Sequence, residues 1–429
     1  MTLVLVVLFG LMLLGIPVAF AILSAGMAYL ATTGGSMLVV AQRLIYGLNS
    51  FTLLAVPLFI LVGNLMDFGG ISKRLTEWAK SILGWLPGGL GIVTVFSCAI
   101  FAALTGSGPA TVAAIGSIML PSMLKAGYSK DTSAGLVASA GALGPIIPPS
   151  IPMIIYGVTM NLSIPAMFMA GVIPGLVIAL ALSLVNVVFA YRNPEVLKHA
   201  KTMKFDFKES MKLFWKALGA LGLPILILGG IYGGIFTPTE SAAVGIVYAL
   251  ILGFALKELK IKDLPKILIN SLKTSTMVNF IIAAASLFSW VVSKSQIGTA
   301  ISNAFISFVG GSQALYLFVL VVVLLIVGCL MDNVAATLIL APILIPVGIA
   351  LGCNELHIGM LFCICLVVGF VTPPFGYNLF TAVSISGLNF KQIVKGSLPF
   401  LLTEILLLFV FAYVPGIITW LPRLMGYGY

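Results

Sequence analysis

Apolar runs separated by short polar stretches dominate the chain. Residues 168–190, 238–256 and 314–331 are each close to the roughly 20 apolar residues a helix needs to cross a bilayer. The opening run, 3–32, is too long for a signal-peptide core and lacks a basic leader, so it reads as a retained first span. Residues 218–235, 276–293 and 397–420 add further spans, and 51–68 one more. The stretch 71–85 (ISKRLTEWAKSILGW) is short and amphipathic, with Lys73, Arg74 and Lys80, and suits a helix lying in the membrane interface. A second interfacial stretch is read at 297–308.

Glycine and proline interrupt this pattern at matched places. Pro121, Gly127, Gly144, Pro148 and Pro149 recur 225 residues later as Pro346, Gly352, Gly369, Pro373 and Pro374. Within each set, the segment ending in Pro-Pro (132–160 and 355–385) reads as a span broken in its middle. The segment before it breaks at Leu104-Thr105-Gly106-Ser107-Gly108-Pro109 in one half and at Cys329-Leu330-Met331-Asp332-Asn333 in the other. A segment that enters, breaks and returns is a re-entrant hairpin, which survives at membrane depth only if buried in protein or lining a wet cavity.

Composition and charge orient these elements. The 429 residues are 61% hydrophobic and 8% charged, against about 25% charged in soluble domains. The net charge of +10 follows the positive-inside bias of membrane proteins and is no nucleic-acid signal. The basic stretches 192–216 and 257–273 are separated by two spans and fall on one side, the cytoplasm. Tracing outward from them leaves only Arg43, Lys294 and Arg423 of the 22 Lys and Arg outside. The first hairpin then opens to the cytoplasm and the second to the outside, an inverted-topology repeat of the kind found in secondary transporters. The expected architecture is an all-α polytopic membrane protein with an inverted-topology repeat, two re-entrant hairpins and two broken helices; the elevator type, with a scaffold and a transport domain, is what the family resemblance given below implies. Its segments are scaffold 1–70, cytoplasmic arm 71–86, first transport elements 87–165, scaffold helices and basic loops 166–296, outer arm 297–310, second transport elements 311–390, and a last helix 391–429.

The chemistry expected at the breaks follows from proline. It has no N–H and blocks the helical bond to the carbonyl four residues back. Carbonyls such as those of Gly144 and Gly369 are then left over, and a hard cation that prefers oxygen ligands can take them. Two quasi-symmetric sodium sites are expected: Ala103, Ser107, Gly144, Ile147 and Ser150 in one, and Gly328, Asp332, Gly369, Thr372 and Phe375 in the other. Helix ends at the hairpin tips favour an anion between the halves, with Thr105, Ser107, Gly108, Asn333, Pro149 and Pro374 as candidate contacts. Glu240 reads as a helix cap, Asp67 as the end of its span, and Glu404 as a partner contact or proton site. His199 and His357 are placed in polar turns. The five cysteines have no metal-ligand spacing and are expected to pack. Without a metal-binding His pair, a Ser–His pair or paired aspartates at membrane depth, no enzyme is indicated.

The strings TGSGPATVAAIG, PSMLKAGY, GALGPIIPPSIPMIIYG, AGVIPG, GGIFTPTESAAVG and GFVTPPFGYNLF together resemble the large membrane subunit of tripartite ATP-independent periplasmic (TRAP) transporters, from about residue 10 to 420. That resemblance implies a sodium-driven importer of organic acids in the bacterial inner membrane. It implies Na+ as coupling ion, a small four-helix membrane (Q) subunit and a periplasmic substrate-binding (P) protein as partners, and an elevator motion. It implies sodium ligands at positions matching Ser107, Gly144, Gly328, Gly369 and Thr372, and substrates such as sialic acids, other sugar or keto acids, and C4-dicarboxylates. A stand-alone sodium/anion symporter of the divalent-anion type would share the hairpins and broken helices.

Overall fold

The computed structural model describes residues 2–295 and 297–428, and Met1, Gln296 and Tyr429 at the edges of the expected segments lie outside it. Its regular secondary structure is helical, with no strand among the described residues. In chain order the α-helices are α1 (Thr2–Leu13), α2 (Val18–Thr33), α3 (Leu38–Leu48), α4 (Ala55–Phe68), α5 (Ile71–Leu83), α6 (Gly89–Thr105), α7 (Gly108–Lys125), α8 (Lys130–Ala140), α9 (Ile151–Met160) and α10 (Ile164–Tyr191). The second part follows as α11 (Pro194–Thr202), α12 (Phe207–Tyr232), α13 (Pro238–Ala255), α14 (Leu264–Lys294), α15 (Ile297–Val309), α16 (Gln313–Leu330), α17 (Asn333–Ala350), α18 (Glu355–Gly369), α19 (Tyr377–Ser386), α20 (Phe390–Tyr413) and α21 (Gly416–Leu424). Seven helices among the described residues are long and apolar enough to cross a bilayer, or eight counting the bent pair of α3 with the helical stretch 52–68. The chain is therefore a multi-pass membrane protein.

Local chemistry sets the helix ends. Thr237 caps α13 by accepting from the Glu240 N–H, while the Glu240 carboxylate accepts from the Thr237 N–H at 2.8 Å. This reciprocal box confirms Glu240 as a cap. Asn389 and Gln392 do the same for α20, and Asp206 caps α12. Because Asp206 starts α12 so early, Lys208, Lys212 and Lys216 lie on a helix rather than in a loop. Likewise Pro194 opens α11 inside the same basic stretch.

The opening run is not one span. Gly15 at φ +80° and Pro17 end α1 and start α2, and the two helices pack against each other. The last run is also divided, at Pro415, into α20 and α21. These breaks follow the rule that proline cannot continue a helix; the apolar composition alone concealed them.

The 225-residue register extends through the whole architecture. Helix α7 begins and ends 225 residues before α17, and α6 and α16 end at the same offset. Helices α5 and α10 find counterparts in α15 and α20, while α14 runs unbroken where α3 and α4 meet at a 69° bend. Burial separates interior from perimeter. Every residue of α18 from Leu356 to Gly369 is buried, as is α8 from Ser133 to Ala140. In α10, α12 and α13 most of the apolar surface faces outward. The interior helices pack backbone to backbone: a Cβ on Gly135 of α8 would lie 2.2 Å from the Gly396 carbonyl carbon of α20.

The amphipathic α5 buries Ile71, Leu75 and Ala79 and lies against α6 and α12. Arg74 on it pairs with Glu258 at 3.1 Å, tying it to the turn between α13 and α14.

Candidate functional site

Both hairpins turn at the same register. In the first, α6 stops at Thr105 because Gly106 is left-handed (φ +59°), and extended Ser107 then starts α7. A Cβ on Gly106 would sit 2.9 Å from the Pro149 carbonyl oxygen, so glycine is required both for the turn and for the close approach of the broken span. In the second, Met331 is extended, and the Asp332 carboxylate caps α17 by accepting from the Val334 N–H at 2.8 Å.

Each tip lies against the unwound stretch of its own half. Residues 141–150 join α8 to α9 through a short 3-10 turn (Gly141–Leu143) and a cis Pro148–Pro149 bond, and 370–376 join α18 to α19 through a cis Pro373–Pro374 bond. A Cβ on Gly144 would lie 2.5 Å from the Ser107 carbonyl oxygen and 2.9 Å from Thr111 Oγ1. A Cβ on Gly369 would lie 2.6 Å from Gly328 Cα. The Gly376 N–H donates to the Cys329 carbonyl at 3.4 Å. Ser107 and Gly144 are thus brought together, as are Gly328 and Gly369.

The other expected ligands have local partners. Ser150 Oγ donates to the Pro145 carbonyl and caps α9. Thr372 Oγ1 donates to the Val368 carbonyl at 3.0 Å. The Gly369 carbonyl is not left over, because it accepts from the Thr372 N–H at 3.0 Å. A tight turn replaces the bond that proline removes. Ala103 is buried, Ile147 is half-buried and Phe375 is exposed.

Between the tips lies a cavity of about 420 Å³, walled also by α4 and α14. Of the expected anion contacts, Thr105, Ser107, Gly108 and Asn333 line it, whereas Pro149 and Pro374 do not. Pro149 is buried against the first hairpin tip, its carbonyl oxygen beside Gly106, whereas Pro374 is exposed. Asn333 is buried, and neither end of its amide has a partner among the described residues. Sequence reasoning missed Asn64, Thr274 and Tyr377, and placed Asp67 at a helix end without the cavity it lines. The signal for Asn64 was a polar residue inside an apolar span; its Nδ2 donates to Ser271 Oγ at 2.8 Å and joins α4 to α14.

Two further expectations change. His357 is not in a polar turn: it is buried, with Nε2 at 2.8 Å from the Phe411 carbonyl. Glu404 is buried in α20, and neither carboxylate oxygen has a partner among the described residues. Burial removes it from any exposed partner surface. All five cysteines are buried.

Seven or eight candidate spans, with two unwound stretches and two helical hairpins around one cavity, are the architecture of a membrane transport protein. The chain belongs to the family described as the tripartite ATP-independent periplasmic transporter, DctM component, whose sequence model matches residues 5–417. It is 38% identical over 405 residues to the C4-dicarboxylate TRAP transporter large permease protein DctM of Pseudomonas aeruginosa, covering 94% of each chain. It is 34% identical to the sialic acid TRAP transporter large permease protein SiaM of Vibrio cholerae, covering 98% of each. It is 39% identical to the isethionate TRAP transporter permease protein DctMQ of Oleidesulfovibrio alaskensis, covering 95% of this chain and 64% of that protein. These relatives are permeases and not enzymes. A permease of helical spans serving a periplasmic transporter resides in the inner membrane.

Proposed function

We propose that the chain imports an organic acid across the inner membrane, driven by sodium, as the large subunit of a binding-protein-dependent transporter. One observation carries this reading: both hairpin tips, each seated on an unwound span of its own half, close around a single cavity. Helix starts directed at that cavity favour an anion. The names of the relatives support a C4-dicarboxylate, a sialic acid or another sugar acid as substrate class. A small membrane subunit and a periplasmic binding protein are the expected partners, and the relative named DctMQ supports the first of them.

Sodium is the transported co-substrate in this reading. The first set of donors is oxygen throughout: the Ser107 and Ser150 hydroxyls and the Gly144 carbonyl, with Ala103 and Ile147 supplying backbone carbonyls. The second adds the Asp332 carboxylate to Gly328, Gly369, Thr372 and Phe375. Carbonyl, hydroxyl and carboxylate oxygens suit a hard cation. The close approach of Ser107 to Gly144 and of Gly328 to Gly369 supports the two sites. Loop charge supports opposite orientations for the two halves, and the burial contrast between α8 or α18 and the perimeter helices supports a moving interior against a fixed scaffold.

The test is uptake into proteoliposomes holding the chain, its small subunit and its binding protein, with a panel of organic acids. Uptake should need an inward sodium gradient and all three components. Uptake indifferent to the gradient sinks the sodium coupling. Sodium-driven uptake by the large subunit alone would instead establish the stand-alone symporter.

A further inference from the structure

A second cavity, of about 660 Å³, lies between α3, α9 and the C-terminal half of α14, beyond the Thr274–Val278 stretch that lines the first. It is the counterpart of the first in the repeat. Shifted by 225 residues, Ile60, Asn64 and Ala113 of the first cavity become Ala285, Ser289 and Leu338 of the second. Asn49 and Leu53 of the second become Thr274 and Val278 of the first. The charges do not follow the repeat. Arg43 alone is charged in the lining of the second cavity, whereas Asp67 and Asp332 are the charged residues of the first. The repeat positions of Arg43 and Asp67 hold Leu268 and Val292.

Arg43 is held between two aromatic rings. Its guanidinium carbon lies 5.4 Å from the Trp290 ring centroid and 5.7 Å from that of Tyr46. Rings over a guanidinium hold it in place while leaving its N–H edge free. Among the described residues the ion pair is Arg74–Glu258, so Arg43 has no carboxylate within ion-pair distance there. Ser286, Ser289 and Ser293 stand along one side of α14 in the same cavity and bring neutral hydroxyls to it. Gly47 lets α3 come this close, since a Cβ there would lie 2.4 Å from Ser286 Cβ.

We propose that this cavity is a capture site for a small carboxylate or sulfonate anion on the outer side, with Arg43 as its charged contact and the α14 serines as neutral donors. The inference rests on the transporter reading for its sidedness and direction. A cation at the outer cavity and two carboxylates at the inner one oppose each other along the path of an anion. Fields focused in clefts change local ion concentration and capture rate about tenfold or more. The arrangement draws the anion in from outside and favours its release inside.

The test uses the full chain in sealed right-side-out vesicles, with Ser289→Cys labelled by an anionic (sulfonatoethyl) or a cationic (trimethylammonioethyl) methanethiosulfonate. The anionic-to-cationic rate ratio should fall about tenfold on adding Arg43→Gln and stay high with Arg43→Lys. Succinate, N-acetylneuraminate or isethionate should slow the anionic reagent with Arg43 present and not with Arg43→Gln. An unchanged ratio, protection by none of the three acids, or labelling confined to inside-out vesicles overturns the site. In the reconstituted transporter, Arg43→Gln should raise KM about tenfold with kcat held and the melting temperature unchanged; an unchanged KM also overturns it. If the parent chain moves none of these acids, the transporter reading fails, and the labelling ratio still decides whether Arg43 gathers anions here.

Discussion

Asn378 Nδ2 donates to the Ala138 carbonyl at 3.1 Å, joining the start of α19 to α8 across 240 residues of chain. The same amide lies beside Gly108 and Gly141; a Cβ on Gly108 would sit 2.8 Å from its Oδ1. One buried side chain thus fastens the broken span of the second half to the broken span and hairpin of the first. Asn378→Ala should cost ~1–3 kcal/mol by leaving a buried carbonyl unpaired. The check is a lower melting temperature in detergent; Asn378→Ala melting like the parent would show that the joint carries no load.

Gly369→Ala should destabilise the chain more clearly. The new methyl would lie 2.6 Å from Gly328 Cα, and backbone is the hardest neighbour to move. Overpacking of this kind costs ~1–3 kcal/mol or more. Gly10→Ala, with open space around it, is the control and should leave thermal stability unchanged.

Thr372→Ala should raise the sodium concentration for half-maximal uptake about tenfold, equivalent to one lost ligand worth ~1.4 kcal/mol, with docking of the binding protein unaffected. Thr372→Ser keeps the hydroxyl that now donates to Val368 and should keep most of the sodium affinity. Equal sodium activation curves for the parent and Thr372→Ala would remove Thr372 from the second ion site.

Asn333→Asp changes charge without changing shape. It would put a carboxylate next to Asp332 in the lining of the first cavity. Like charge in a low-dielectric cleft repels an anionic substrate, so uptake should drop at least tenfold (~1.4 kcal/mol) while the melting temperature moves little. Normal uptake would place the anion elsewhere.

The elevator reading predicts that the first hairpin slides past α4. A Cβ on Gly63 would lie 3.2 Å from Thr105 Cα, so α4 and the hairpin tip touch. A disulfide between Gly63→Cys and Thr105→Cys should stop transport and release it on reduction. Full transport by the oxidised pair would mean that this contact holds throughout the cycle.

Much of the architecture was legible because the physics is local. A Pro-Pro pair removes two helical donors wherever it occurs, so the two broken spans and their register could be read directly. The Thr237–Glu240 cap needs only a spacing of three residues. Loop charge needs only counting. What failed were the places where a distant partner decides the outcome. The run 3–32 is apolar throughout, and its division into α1 and α2 depends on Gly15 and Pro17 being used as a turn between packed helices. The Gly369 carbonyl is taken by Thr372, a turn that no spacing announced. Pro149 and Pro374 sit at the breaks but outside the cavity: Pro149 is buried against the first hairpin tip, and Pro374 is exposed.

The sequence by itself determined that this chain crosses the membrane many times and breaks its spans at Pro-Pro pairs 225 residues apart, because apolar length and missing backbone donors act residue by residue. Only the tertiary structure decided that Asn64, Asp67, Asn333 and Tyr377 share one cavity and that Arg43 stands in its counterpart. Those residues come from helices far apart in the chain, and backbone contacts such as Gly144 with Ser107 and Gly328 with Gly369 are what bring them together.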